Sequence, residues 1–154
     1  MTQTTFTAPP PKINPRAKLA LGFMAFLLRR DWMGPASDML MVITTTGRKT
    51  GKRHSIPIGY IRDGDDIVVL SSKNPSNWFR NVLANGTATL EIKKEKFEVR
   101  GKLITDEAER QRIFAIHKLN TKYFKANFKV ELDSPENVLQ EALADRIFIR
   151  FKRK

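Results

Sequence analysis

The stretch from Met39 to Ser72 constrains the fold most, because it reads as strand, turn, strand, turn, strand. Met39-Leu40-Met41-Val42-Ile43 is apolar, and Ile56, Ile58 and Tyr60 then alternate with Pro57, Gly59 and Ile61. Asp63-Gly64 is a two-residue turn signal, after which Ile67-Val68-Val69-Leu70 is expected to return as a third strand against the second, buried on both faces. The first connection, Thr44 to His54, contains Gly47 and Gly51, which let it bend and expose backbone N–H groups. Threonine hydroxyls and the cations Arg48, Lys49, Lys52 and Arg53 gather in the same short segment, which is chemistry suited to a phosphate. The glycine spacing and the following strand exclude a Walker loop. These residues alone leave a solvated basic hairpin tip as the alternative.

The 154 residues suffice for one domain with a real core. There is no cysteine, and His54 and His117 are the only histidines, so neither a disulfide nor a metal site is expected. With 28 Lys and Arg against 16 Asp and Glu, the formal charge is +12, which favours an acidic partner: a polyanionic cofactor, an anionic membrane surface or nucleic acid. The basic residues are spread through turns without a base-reading or base-stacking motif, so no nucleic-acid partner is expected.

Residues 1–14 include Pro9-Pro10-Pro11 and few apolar side chains, and are expected to form a mobile arm ahead of a domain spanning 15–154. Residues 16–30 read as a helix with arginines in its last turn. Its uncharged run, Leu19 to Leu28, is far short of the roughly 20 residues that cross a bilayer, and no small-residue cleavage site follows it. Two readings fit: a helix covering the core, or a basic-flanked helix resting on a membrane surface. Ser76 is a candidate N-cap for a short helix carrying Trp78, Phe79, Val82 and Leu83, which Asn85-Gly86 ends. Thr87–Ile92 and Phe97–Leu103 alternate as a hairpin joined by Lys93-Lys94-Glu95-Lys96. Asp106 to about Phe128 reads as helix, on which His117 is expected to be a hydrogen-bonded or surface residue. A shorter helix around Glu136–Ala144 precedes a last strand, Arg146–Phe151. The expected class is mainly β with peripheral helices (α+β): about six antiparallel strands in a small, partly open barrel.

Ile43-Thr44-Thr45-Thr46-Gly47-Arg48-Lys49-Thr50-Gly51, Pro57, Asp63-Gly64-Asp65, Ser71-Ser72-Lys73 and Asn77-Trp78-Phe79-Arg80-Asn81-Val82-Leu83-Ala84-Asn85 together resemble the deazaflavin-dependent nitroreductase family. Its members are split β-barrel proteins that use the deazaflavin coenzyme F-420. The resemblance covers about Met39 to Ile92. It implies that Arg48, Lys49 and Thr50 lie in a phosphate-binding turn, that Ser72 and Lys73 form a second anion-contacting segment, and that Trp78 and Asn81 stand beside the coenzyme. Lys52, Arg53 and His54 extend the basic turn, and His54 replaces an arginine common in the family. The segment between Lys73 and Trp78 is shorter than in many members, and Tyr123, flanked by Phe124 and Phe128, is the one tyrosine matching the family's acceptor side.

The resemblance implies an oxidoreductase that passes hydride from the reduced coenzyme to a small electron-poor acceptor such as a quinone, nitro compound or activated alkene. Tyr123 or Ser72 would donate a hydrogen bond or proton to the reduced acceptor. Related split barrels bind flavin mononucleotide (FMN), and a non-enzymatic binder of anionic lipid is a further alternative on the charge and the 16–30 helix. The expected setting is cytoplasmic, with peripheral contact on the inner face of the membrane through 16–30, as a monomer or homodimer.

Overall fold

The computed structural model describes residues 5–154. Helix α1 (Pro15–Arg29) begins where the Asn14 side chain accepts the Ala17 N–H at 2.7 Å, with proline at its first position. A single 3-10 turn, Gly34–Asp38, leads into β1 (Leu40–Thr46), β2 (Arg53–Gly59), β3 (Ile61–Asp63) and β4 (Asp66–Ser72). Helix α2 (Asn77–Asn85) and the hairpin β5 (Thr87–Ile92) and β6 (Glu95–Leu103) follow, then α3 (Glu107–Leu119), α4 (Thr121–Phe128), α5 (Glu136–Ala144) and β7 (Arg146–Arg153).

All pairings are antiparallel, in the order β2-β1-β5-β6-β7-β4-β3. The sheet therefore has seven strands where the sequence suggested six. The apolar run Ile56–Ile61 is not one strand: Gly59 pairs with Leu40 at one edge of the sheet, whereas Ile61 pairs with Val68 at the other. Tyr60 alone separates these edge strands, its N–H bonded to Met39 O at 3.0 Å and its ring buried. The returning strand β4 consequently pairs with β3 and β7, not with β2. Two edges joined through one residue must curl toward each other, which makes the sheet a split barrel closed at the Tyr60 end.

The barrel interior holds Met41, Ile43, Leu90, Val99, Ile149 and Phe151, capped by Phe79 and Val82 of α2. A close approach makes this cap possible. A Cβ on Gly101 would stand 2.5 Å from Val82 Cγ1 and 2.9 Å from the Phe151 ring, so only glycine lets α2 sit this low on β6. A second core, built on Phe114, Phe124, Phe128 and Phe148, joins α3, α4 and α5 to the outer face of β7. Arg150 of β7 fastens that layer, donating to Asp63, Asp66 and Glu109 at 2.7–2.9 Å, while Arg112 grips Asp63 in two parallel bonds.

Helix α1 covers the sheet with Ala25 and Leu28 against Val42, but Leu19, Phe23 and Trp32 remain 78%, 63% and 64% exposed. The sequence read residues 1–14 as a mobile arm. Residues 1–4 lie outside the described residues, but beyond them Phe6 packs on the barrel core beneath the Arg80 guanidinium, 5.0 Å from its ring centroid. Arg80 Nη2 donates to Ala8 O at 2.8 Å, and Asn74 Nδ2 to Pro9 O at 3.1 Å, so one aromatic ring and two backbone carbonyls of this segment meet the domain at Arg80 and Asn74.

Candidate functional site

The basic turn between β1 and β2 is closed by backbone bonds from Gly47 N to Lys52 O at 2.7 Å and from Gly51 N to Gly47 O at 2.9 Å. Gly51 takes φ +70°, which favours glycine, and a Cβ on Gly47 would stand 2.6 Å from Thr50 Oγ1, so a side chain there would displace the Thr50 hydroxyl. Thr50 Oγ1 in turn accepts the Lys52 N–H at 3.3 Å. Among the described residues, the N–H groups of Lys49 and Thr50 make no hydrogen bond.

Helix α2 positions the turn through three asparagines spaced one turn apart. Asn77 Oδ1 accepts from Arg48 Nη1 at 3.2 Å; Asn81 Oδ1 accepts from Arg48 N and Nη1 at 3.2 and 2.8 Å; Asn85 Nδ2 donates to Thr46 O at 2.8 Å. Asn81 is itself buried and donates to the buried Thr45 Oγ1 at 3.2 Å. Asn77 and Asn85 were not read from the sequence as site residues. Their i, i+4, i+8 spacing with Asn81 was the signal that marks one polar helix face.

The remaining residues of the basic group fall at the same end of the sheet. Lys49, Lys52, Arg53 and His54 are exposed on the turn and the start of β2, and Arg53 Nη2 donates to Thr89 Oγ1 at 3.1 Å. Lys73 follows β4, exposed, and Ser72 Oγ donates to Asn74 O at 3.0 Å. Trp78 is half-buried at the start of α2, edge-on to Phe79 with ring centroids 5.3 Å apart. Among the described residues, no carboxylate pairs with Arg48, Lys49, Lys52, Arg53, His54 or Lys73. A cluster of cations without acids, beside open backbone N–H groups, suits a phosphodiester and carboxylates.

The second feature lies toward the opposite end of β1. A cavity of about 290 Å3 is lined by Leu40, Gly59, Tyr60, Leu70, His117, Asn120, Tyr123 and Asn127, among others. Leu40 and Thr46 bound β1, which puts the cavity and the basic turn on the order of 20 Å apart along the extended chain. The wall is mixed. Leu40 and Leu70 supply apolar surface, and α3 and α4 supply the polar groups from either side of their break at Asn120. Arg146 Nε holds the end of α4 in place by donating to Asn127 O at 3.0 Å.

Of the two residues expected to serve the acceptor, Tyr123 lines this cavity and Ser72 does not. His117 does line it, and it is neither hydrogen-bonded nor at the surface as the sequence suggested. It is 3% exposed, and both ring nitrogens lack a partner among the described residues. Burial pushes its pKa down to about 4, so the ring is neutral at pH 7.

A family model described as F420H(2)-dependent quinone reductase matches residues 29–139, most of the chain. F420H(2)-dependent quinone reductases from two Mycobacterium tuberculosis strains are each 28% identical over 72 residues. The matched stretch covers 44% of this chain and 48% of each relative, so the chain spans about half the length of the curated relatives it matches. Among solved structures, an F420-H2 dependent reductase (FDR-A) superposes with a TM-score of 0.50 at 18% identity, covering 72% of this chain and 92% of that one. The haem storage protein HutZ of Vibrio cholerae gives a TM-score of 0.53 at 14% identity, with 87% and 90% coverage. At these identities the solved structures speak for the split-barrel fold, and the family match is what bears on chemistry.

Proposed function

We propose, because this chain belongs to the F420H(2)-dependent quinone reductase family, that it oxidises the reduced deazaflavin coenzyme and passes the reducing equivalents to a small quinone. The observation that carries this reading is the cluster of cations without carboxylate partners at one end of β1. A ligand with an anionic chain and an apolar ring suits a protein that offers this cluster and, at the other end of β1, a partly apolar cavity. Lys49, Lys52, Arg53, His54 and Lys73 would hold the phosphodiester and acidic tail, joined by the open N–H groups of Lys49 and Thr50. Arg48, latched by Asn77 and Asn81, would present the turn in one geometry, and Trp78 and Ser72 would flank the coenzyme.

When bound, the reduced coenzyme supplies the hydride. The chain's own residues bind, orient and exclude water. Leu40 and Leu70 would cover the acceptor ring, and the Tyr123 hydroxyl would donate to an oxygen that gains electron density as the acceptor is reduced. Quinone is the acceptor class the family description names; nitro compounds and activated alkenes offer the same electron-poor centre beside a polar oxygen. Family membership supports the deazaflavin over FMN.

Anaerobic titration with the reduced coenzyme, followed by menadione, tests the proposal. Binding and then return of the oxidised coenzyme's visible absorbance are expected. Binding of FMN without binding of the deazaflavin, or coenzyme binding with no turnover of any quinone, nitro compound or enone, overturns it.

A specific observation also favours a membrane-surface setting. Leu19, Phe23, Phe26 and Trp32 are exposed on and just after α1, beside Arg16, Lys18, Arg29 and Arg30. Arg30 lies 5.3 and 5.7 Å from the Phe26 and Trp32 rings. Apolar and aromatic groups among cations are the pattern of an interfacial helix on anionic lipid, as carried by the inner leaflet. No helix among the described residues is long and apolar enough to cross a membrane. Co-flotation with anionic vesicles, lost in a Leu19→Gln, Phe23→Gln double variant, is expected; equal flotation with neutral vesicles, or none with either, contradicts it.

A further inference from the structure

We propose that His117 is an acceptor-binding residue, whose imidazole N–H donates a hydrogen bond to an oxygen of the molecule filling the cavity beside α3 and α4. The inference rests on reading that cavity as the acceptor side of the site. Its starting point is a cost the fold does not need. The ring stands between Phe128 and Phe148, at centroid distances of 5.2 and 6.0 Å, where a leucine would pack without polar atoms. Instead, both nitrogens are sealed from solvent and have no partner among the described residues. A buried polar group left unpaired gives up its hydration with no hydrogen bond in return.

The surroundings indicate what repays it. His117 lines the same cavity as Asn120, Tyr123 and Asn127, side chains that offer hydrogen bonds but no charge. In this desolvated position the neutral ring keeps one N–H donor and one acceptor nitrogen. A neutral polar wall facing Leu40 and Leu70 selects an uncharged, largely apolar ring bearing carbonyl or nitro oxygens, and discriminates against carboxylates. Because the nitrogens are sealed in this structure, engagement turns the ring about its Cβ–Cγ bond, a broad torsion for histidine.

The test compares menadione with methylnaphthalene, which has the same bicyclic shape without carbonyls. Binding to the parent, His117→Leu and His117→Gln is measured by calorimetry, in coenzyme-free and coenzyme-saturated protein. The expected result is about a tenfold loss of menadione affinity in His117→Leu with methylnaphthalene unchanged, and partial recovery in His117→Gln, whose amide restores a donor. His117→Leu should also resist urea at least as well as the parent, which a purely structural histidine would not allow. In the parent, a ring-nitrogen NMR resonance of His117 should shift with menadione and not with methylnaphthalene, a readout independent of whether either variant folds. Equal losses for both probes, an unmoved resonance, or no menadione binding to the parent in either state overturns the assignment. The coenzyme-free arm decides this even if the deazaflavin itself fails to bind.

Discussion

Asn81 Oδ1 accepts two hydrogen bonds from Arg48, one from its backbone N at 3.2 Å and one from Nη1 at 2.8 Å. One buried amide thereby fixes both the path and the side chain of the basic turn. Asn81→Leu keeps the γ-branched shape but removes the acceptor and leaves the buried Thr45 hydroxyl without its donor. Stability should fall by about 1–3 kcal/mol in urea unfolding, as expected when buried polar groups lose a partner. Coenzyme affinity should fall about tenfold even where the variant is fully folded, because the turn is no longer pre-organised. Unchanged affinity in folded Asn81→Leu would show that the latch does not serve binding.

Gly101→Ala tests how α2 is seated. The added methyl meets Val82 and Phe151, so the helix must rise or the rings must move, at about 1–3 kcal/mol. The loss should exceed that of Gly22→Ala, where a Cβ meets nothing within 4 Å. Denaturant midpoints for the two variants measure the difference, and equal midpoints would contradict the close seating.

Acid should destabilise the fold in two stages. Burial lowers the folded pKa of His117 from 6.5 to about 4, so below pH 6.5 the unfolded chain binds the extra proton and stability declines as pH falls, levelling off only below pH 4. Between pH 7 and 5 the loss amounts to roughly 2 kcal/mol. Hydrogen bonds from Arg112 and Arg150 hold the Asp63 carboxyl well below the usual carboxylate range, despite the opposing effect of burial. Its contribution is present above the ordinary aspartate pKa and is lost as pH falls further. Urea midpoints measured between pH 7 and 5 should drop in the parent and stay nearly flat in His117→Leu; parallel slopes would contradict the first stage.

Much of this was legible because it is local. The alternation of β5, β6 and β7, the tight turn after Asp63 (formed by Gly64-Asp65, one residue later than read, since Asp63 pairs with Asp66), the proline-started α1 and the basic turn all depend on neighbours in sequence. What escaped depends on partners far along the chain. The division of Ile56–Ile61 into two edge strands is decided by Leu40 and Val68, and no periodicity within the run reveals it. The four-residue connection read at Lys93–Lys96 is a two-residue turn, with Lys93 and Lys94 at φ 48° and 69° and Glu95 already paired to Ile92; glycine, the usual mark of such turns, is missing. His117 looked ordinary because its burial is set by Phe128 and Phe148, and its lack of a partner can be seen only when all its neighbours are in place.

Direct recognition of the coenzyme by the basic turn is tested by a titration of charge-matched variants. Lys49→Ala and Lys102→Ala each remove one exposed positive charge, the first at the turn and the second on the outer face of β6. Direct recognition predicts that Lys49→Ala weakens coenzyme binding roughly 10- to 150-fold near physiological salt, the equivalent of a charge-assisted contact of about 1.5–3 kcal/mol, with Lys102→Ala close to the parent. Equal affinities for the two variants at that ionic strength would contradict it and leave the turn a solvated basic hairpin.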